Sequence, residues 1–460
     1  MNHTKTLENL KQHFNLNPKT ANIIVIGLGI TGCSVARYLH KLGLVFTIID
    51  SRDNPPSINE IKNQCPNATV LTGSFHSEVL KSATHLIVSP GVALTENALQ
   101  AVINNGAIVL SDIDLFACTT DKAIIAITGS NGKSTVTTMV GDMAKTDNKN
   151  VGVGGNLGTP ALDLLDDNND LYVLELSSFQ LERTRLLNAA SATVLNISAD
   201  HIDRHGDIAG YTKEKQKVFA GNGVMVLNSD DPLVITMQDK NRNTLSFSIQ
   251  HNNADFYLKT ENTSEYLAYK ETLLMPLSDL PLEGKHNAAN ALAALALGLA
   301  VGLNMESMLN ALKVFKGLAH RMNKVTVINS ISWINDSKAT NIGATIAALA
   351  GYTSPVILLA GGDGKGADMN ELTPVVKEKC KAVILMGKDA LLIEQALNNC
   401  VPSYHAENMQ EAVRIANHLA KAGDTVLLSP ACASLDQYKS YADRGNQFAE
   451  AAMQLVHEKH

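Results

Sequence analysis

Short apolar runs rich in β-branched residues recur along the chain, and each ends in Gly, Ser or Asp. The first are NIIVIGLG, VFTIID, THLIVSPG and AIVLSD, with helically spaced stretches such as GCSVARYLHKLG between them. Strands alternating with helices predict βαβ units and a parallel sheet. A second series starts at KAIIAITGSNGKS and continues through LYVLELSS, SATVLNIS and NGVMVLNSDD. Between about residues 245 and 285 the pattern changes to short, polar, strand-like pieces, followed by an Ala-rich helix from His286. A third series runs from ISWINDSKATN through PVILLAGGDGKGAD and KAVILMG to DTVLLSPACASLDQY. The pattern predicts three α/β domains, over residues 1–111, 112–317 and 318–460. Ligands of open α/β sheets gather at the carboxyl ends of strands, so the polar residues closing these runs are where chemistry is expected.

Length and composition narrow the class. A chain of 460 residues is long enough for about three ordinary domains, and 45% hydrophobic with 18% charged residues reads as a compact globular protein. A net charge of −7 without a basic run argues against a nucleic-acid partner. The six cysteines are scattered with no C-x-x-C pair, which fits a reducing cytoplasm without disulfides or a zinc ribbon. The opening MNHTKTLENLKQHF is polar and lacks the apolar core of a secretory signal. AANALAALALGLAVGL is short for a membrane span and contains Asn290, so a buried helix is expected and membrane insertion is not.

Candidate chemistry sits at the ends of the runs. IGLGITGCS carries G-x-G-x-x-G at Gly27, Gly29 and Gly32, and Asp50 closes the next strand at the spacing of a ribose-binding acid. Such a turn suits a diphosphate at a helix N-terminus, although the same glycines also serve tight strand–helix packing. Thr128-Gly129-Ser130-Asn131-Gly132-Lys133-Ser134 joins a strand to a helix like a phosphate loop, yet Ile127 stands where the usual G-x-x-x-x-G-K-[ST] has glycine. Its backbone N–H groups would cradle phosphates, Lys133 would neutralise them and the Ser134 hydroxyl would ligate Mg²⁺. Glu175, in YVLELSSFQLE, is a carboxylate at the end of an apolar strand, suited to meeting a metal. NISADHIDRHG offers Asp200, His201 and Asp203 after another strand. Lys213, Lys215 and Lys217 in GYTKEKQKVF read, by composition, as a solvated helix face. His286, Asn287 and Asn290 open the Ala-rich helix, as caps or as contacts to a base. Arg321, Asp336, Lys338, Lys365, Ser434 and Tyr441 lie at strand ends of the third series.

Together and in this order, GLGITG, TGSNGKSTVTT, GVGGNLG, LELSSFQLE, HIDRHG, HNAANALAALAL, NDSKATN, GGDGKGAD and SPACASLDQYKSYADRGNQF resemble the Mur ligase family of peptidoglycan synthesis. The resemblance spans nearly the whole chain, and its last four motifs are the specific ones. It makes Ile127 an expected feature, because the family writes its ATP loop with the shorter glycine pattern. It implies a Rossmann-like N-terminal domain that holds a uridine diphosphate sugar instead of NAD, a central P-loop ATPase-like domain, and a C-terminal Rossmann-like domain that binds the amino acid and closes on ATP.

The activity implied is the addition of D-glutamate to UDP-N-acetylmuramoyl-L-alanine. ATP would phosphorylate the L-alanyl carboxylate, and the amine of D-glutamate would attack the acyl phosphate. By resemblance Ile30, Thr31, Asp50, Ser51, Arg52 and Gly91 would surround the uridine and its phosphates, and Asn156 and Gln180 the muramoyl side. ATP would meet Gly129, Ser130, Asn131, Gly132, Lys133, Ser134 and Thr135, with Asn287 and Asn290 near the base and Arg321 and Asp336 near the ribose and phosphates. Lys338, Thr340, Lys365, Ser434 and Tyr441 would bind D-glutamate, Tyr441 standing where the family usually has Phe. The catalytic set would be Lys133, Glu175, His201 and Lys215, with two Mg²⁺ ions held by Ser134, Glu175, His201 and Lys215, the lysine carbamylated by CO₂. A monomer in the cytoplasm is expected. SPACASLDQ and the lack of a D-N-P-R stretch favour D-glutamate over L-alanine, a diamino acid or a dipeptide. Residues 1–111 speak against a folylpolyglutamate-type ligase. An NAD-dependent oxidoreductase would rest on Gly27, Gly29 and Gly32 alone; a non-catalytic UDP-sugar binder would leave Lys133, Glu175 and NDSKATN unexplained.

Overall fold

The computed structural model of the chain describes residues 2–282 and 284–457. By its internal contacts the chain parts into two compact units. One comprises Met1–Asn196, Thr212–Leu280 and Ala288–Val314; the other comprises Ile197–Tyr211, Pro281–Asn287 and Phe315–His460.

The first unit carries two sheets. One is built from β1 (Ile23–Ile26), β2 (Phe46–Asp50), β3 (Thr69–Thr72), β4 (His85–Val88) and β5 (Ile108–Leu110), in the order β3-β2-β1-β4-β5 and parallel throughout. β1 and β4 are buried along their whole length, as a parallel sheet covered on both faces requires. The strand order reverses between β1 and β4, so the loops after these two strands frame the crevice in which such sheets bind ligands. The N-terminal His3–Phe14, which a reading for signals passes over as merely polar, is an amphipathic helix that buries Leu10 and Phe14 and is capped by the Asn2 side chain.

The other sheet of this unit has nine strands: β6 (Ala123–Thr128), β7 (Val151–Gly155), β8 (Leu171–Glu175), β9 (Ser191–Val194), β10 (Val224–Asn228), β11 (Thr244–Ser248), β12 (Phe256–Glu261), β13 (Ser264–Tyr269) and β14 (Thr272–Pro276). Their order is β14-β13-β12-β11-β10-β9-β6-β8-β7. The polar pieces of 245–285 are largely its edge: β12, β13 and β14 form an antiparallel meander added to an otherwise parallel sheet. The Ala-rich helix Lys285–Ala300 is a core helix, with Ala288 and every residue from Ala291 to Leu297 fully buried. Each of its leucines removed from water contributes about 2 kcal/mol. No helix among the described residues is long and apolar enough to cross a membrane.

The second unit carries β15 (Asn323–Ile328), β16 (Ile331–Asn335), β17 (Val356–Gly361), β18 (Cys380–Met386), β19 (Ser403–His405) and β20 (Thr425–Leu428), ordered β15-β16-β20-β17-β18-β19. Among the described strands of this unit only the β15–β16 pair is antiparallel. Trp333, Ile357, Leu359 and Phe448 centre the core on one face, and Leu358, Leu385 and Leu427 centre it on the other.

Candidate active site

The phosphate loop leaves β6 and enters the helix Lys133–Thr146. Gly132 is the N-cap of that helix, at φ 83, in the left-handed region that favours glycine. A side chain there would meet Asn290 Oδ1 at 2.5 Å, so the loop and Asn290 adjoin. Asn196, which carries no motif signal, shapes the loop. Its backbone carbonyl accepts from Ser130 N (2.9 Å), its Oδ1 accepts from Asn131 N (2.8 Å), and its Nδ2 donates to Asn131 O (3.1 Å). Lys133 folds back over the loop and donates to Gly129 O and Ser130 O, each at 2.8 Å. Ser134 and Thr135 are buried on the first turn.

Strand pairing brings the acid to the loop. Ile127 of β6 is in register with Glu175 of β8, and Thr128 Oγ1 donates to Leu176 O at 2.7 Å. Glu175 Oε1 accepts from Asn156 Nδ2 at 2.7 Å, but Oε2, equally buried, has no hydrogen-bond partner among the described residues. A carboxylate oxygen buried without a donor is costly, and a cation is a group that would complete it. The helix Ile208–Gln216 brings Lys215 to the same place. The solvated face read from composition is corrected here: Lys213 is exposed, but Lys215 is 1% exposed and its Nζ donates to Gly129 O (2.8 Å) and Thr128 Oγ1 (3.3 Å). The helix turns Lys215 inward and leaves Lys213 out, and Lys217, just beyond it, is half-buried, which composition alone does not resolve.

No group of three or more His, Cys, Asp or Glu suited to a metal occurs among the described residues. Ser134 and Glu175 nevertheless fit Mg²⁺, which takes one or two protein oxygens and completes its shell with phosphate oxygens and water. Lys215 fits a carbamate in one respect: its nitrogen would keep one N–H, enough for Gly129 O, and gain two oxygens for a cation.

The crevice of the first sheet gathers the next set. Asp50 Oδ2 accepts from Leu28 N at 2.7 Å, and both its oxygens accept from Arg52. That guanidinium, with the backbone N–H groups of Leu28 and Arg52, holds the Asp50 carboxyl down to about 2. The acid thus latches the glycine turn instead of projecting free. Gly32 is obligatory, because any side chain there would run into the carbonyl of Gly27. Gly29 and Gly91 face open space, Ile30 is 73% exposed, Ser51 is exposed and Thr31 is half-buried. Gln180, in contrast, is buried: its Oε1 accepts from Ser177 N at 3.1 Å in a capping box, and its Nε2 donates to Asp112 Oδ2 at 3.1 Å. Burial raises the Asp112 carboxyl to about 6, against the opposing pull of Gln180 and Arg183.

The second unit assembles the remainder. Asp200 is buried and pairs with Lys365, accepts from Asn341 Nδ2 at 3.2 Å and stands 3.7 Å from His201 Nε2. His201 has φ 55, left-handed for a non-glycine residue. Lys338 Nζ lies 3.8 Å above the Tyr441 ring centroid, with the His320 ring edge-on to Tyr441 at 6.2 Å. Thr340 N donates to Lys338 O. Asp336 is buried, accepting from Ser429 Oγ (2.9 Å) and Met322 N (3.3 Å); burial lifts its carboxyl to about 7, with Ser429 and Arg321 opposing. Asn287 and Ser434 are buried and Arg321 half-buried in this unit.

The structure therefore brings Lys133, Ser134, Glu175, Lys215, Asn156 and Asn290 together in the first unit, and His201, Arg321, Asp336, Lys338, Lys365 and Tyr441 belong to the second. Asn196, Asp112, Arg183 and Arg444 escaped the sequence reading. Arg444 is 1% exposed and donates to Ser337 Oγ and O and to Cys432 O, bracing the SPACAS loop. An Arg in a helix is usually solvated, so only three-dimensional context reveals it.

Residues 21–111 match the family described as Mur ligase MurD-like, N-terminal domain; residues 127–298 match the Mur ligase middle domain; residues 320–432 match the Mur ligase, glutamate ligase domain. The chain is 48% identical over 437 residues to a UDP-N-acetylmuramoylalanine--D-glutamate ligase of Methylococcus capsulatus, covering 95% of each. It is 49% identical to the protein of that name from Pseudomonas aeruginosa, covering 94% of this chain and 98% of the relative. In fold it is similar to a UDP-N-acetylmuramate-alanine ligase from Thermotoga maritima, with a TM-score of 0.61 at 17% identity over 94% of this chain and 99% of the other. With all three segments matched and near-half identity over almost its full length, the chain belongs to the Mur ligase family.

Proposed function

We propose that this chain is an ATP-dependent ligase that joins D-glutamate to UDP-N-acetylmuramoyl-L-alanine in the synthesis of peptidoglycan precursors. The observation that carries the chemistry is the register of Ile127 with Glu175, which sets a buried carboxylate oxygen without a hydrogen-bond donor beside the phosphate loop. Near-half identity to ligases of that name supports the choice of substrate.

The physical problem is that a triphosphate and a carboxylate, both anions, must approach one another. Backbone N–H groups at the start of the helix Lys133–Thr146 and the Lys133 ammonium draw the phosphates in. Ser134, Glu175 and a carbamylated Lys215 would hold Mg²⁺, which would supply Lewis-acid neutralisation of the phosphoryl oxygens. Asn196 keeps the loop preorganised, so that little reorganisation accompanies the transfer. The γ-phosphoryl passes to the L-alanyl carboxylate oxygen as the bond to ADP breaks. The uncharged amine of D-glutamate then attacks the acyl carbon and phosphate leaves, the amine losing a proton.

In this reading residues 1–111 hold the UDP-sugar, with Asp50 and Arg52 shaping the turn that Ile30, Thr31, Ser51 and Gly91 border. Residues 112–317 hold ATP, with Asn287 and Asn290 of the helix Lys285–Ala300 near the base. Residues 318–460 hold D-glutamate through Lys338, Thr340, Lys365, Ser434 and Tyr441. A cytoplasmic monomer is part of the same reading.

Incubation with UDP-N-acetylmuramoyl-L-alanine, D-glutamate and MgATP tests it by mass spectrometry. A product heavier by one glutamate residue is expected; no new product, or one formed equally well with L-glutamate, would oppose it.

A further inference from the structure

Among the groups left over by the proposed chemistry, one side chain ties its parts together. Arg183 ends the helix Ser178–Arg183, which begins just after Glu175, and its side chain is 0% exposed. Its Nη1 donates to Val88 O (3.0 Å) and Ser89 O (2.6 Å), and its Nη2 donates to Val92 O (3.3 Å) and, at the limit of a hydrogen bond, to Pro90 O (3.5 Å). These carbonyls belong to the last residue of β4 and the loop after it, one of the two loops at the strand-order reversal. The same loop is stitched to the other one, because Ser89 Oγ donates to Gly27 O at 2.9 Å.

The other end of the connection is equally fixed. The short helix, about 9 Å long, is pinned at its start by the Ser177–Gln180 capping box. At its end Lys217 Nζ donates to Glu182 O at 2.7 Å, and Lys217 lies two residues beyond Lys215. The Glu182 carboxylate, 2.8 Å from Arg183 Nη2, balances the buried guanidinium.

We propose that Arg183 is a positioning residue, which holds both loops of the UDP-sugar crevice in register with Glu175 and the phosphate loop. The proposal rests on the ligase reading and names which side chain sets the distance between its UDP-sugar and its ATP. A planar guanidinium can satisfy several divergent carbonyls at once; an ammonium of similar length cannot reach them all. Without it, the carbonyls of Val88, Ser89 and Val92 lose the hydrogen bonds that Arg183 gives them, the crevice relaxes, and the muramoyl carboxylate is delivered off line. A displacement of about 1 Å costs about a hundredfold in rate.

The test compares wild type with Arg183→Ala and Arg183→Lys in steady-state phosphate release, each substrate varied in turn. Arg183→Ala is expected to lower kcat/KM for the UDP substrate about a hundredfold, with a raised KM for that substrate and KM for D-glutamate within about twofold of wild type. Arg183→Lys is expected to fall between. A variant whose kcat falls only in proportion to its folded fraction by circular dichroism, with all three KM values unchanged, would overturn the positioning role. Should Arg183→Ala not fold, Arg183→Lys and Ser89→Ala carry the same comparison: both raise KM for the UDP substrate if the role holds, and neither does if it fails. Wild-type enzyme releasing no D-glutamate-dependent phosphate would overturn the ligase reading itself, which separates that failure from one confined to Arg183.

Discussion

Lys215 Nζ donates to the carbonyl oxygen of Gly129 at 2.8 Å from a side chain only 1% exposed. A cation buried against the phosphate loop is a costly arrangement, and its conversion by CO₂ to a carbamate would exchange one buried charge for another of the sign a metal needs. Lys215→Ala is therefore expected to abolish ligation, with partial return in short carboxylic acids such as acetate, whose carboxylate can occupy the vacated space. Full activity of the variant without any added acid would remove Lys215 from the chemistry.

Glu175 offers a separation of function from stability. Glu175→Gln keeps the size of the side chain and its contact with Asn156, while removing the charge of a buried oxygen that has no donor among the described residues. The expected result is a fall in kcat of about 10²-fold or more with a Tm equal to or above that of wild type. A lower Tm with unchanged kcat would make this carboxylate structural.

The pair of Asp200 and Lys365 predicts a double-mutant result. Both side chains are largely buried, at 8% and 12% exposed. Lys365→Ala removes the ammonium that pairs with Asp200 and keeps the Asn341 donor, and is expected to cost about 3–5 kcal/mol as well as raising KM for D-glutamate. Adding Asp200→Asn should restore the denaturation midpoint and leave KM high. If stability and KM recover together, Lys365 acts only through its ion pair.

Asp336 sets a pH dependence whose sign is defined. Burial raises its carboxyl from 3.8 to about 7. Its contribution to stability is therefore fully present below 3.8 and is lost as pH rises through about 7. Asp50, lowered to about 2 chiefly by Arg52, behaves oppositely: its contribution is present above 3.8 and is lost as pH falls through about 2. Denaturation midpoints recorded between pH 4 and 8 should show a smaller decline for Asp336→Asn than for wild type. An equal decline in both would assign the effect to other groups.

The sheets were legible because buried parallel strands are continuous apolar runs: AIIAIT, YVLE and VILLAG all appear as strands with their polar closures at the carboxyl ends. The phosphate loop and Glu175 were legible for the same reason, each being the first polar feature after such a run. Lys215 was not, since a helix reading GYTKEKQ looks solvated until tertiary packing turns one lysine inward. Asp112 and Arg183 were hidden differently: their partners lie 68 and 95 residues away, at Gln180 and Val88, and no local pattern encodes such a meeting. Asn196 acts mainly through a backbone carbonyl and a short amide, which any loop asparagine could offer.

The most direct measurement is phosphate release from MgATP with each acceptor omitted in turn. Release that requires UDP-N-acetylmuramoyl-L-alanine and D-glutamate together, one phosphate per amide bond formed, is the result expected of a loop that brings triphosphate and carboxylate into contact. Steady release with neither acceptor present, or amide formation without phosphate release, would contradict it.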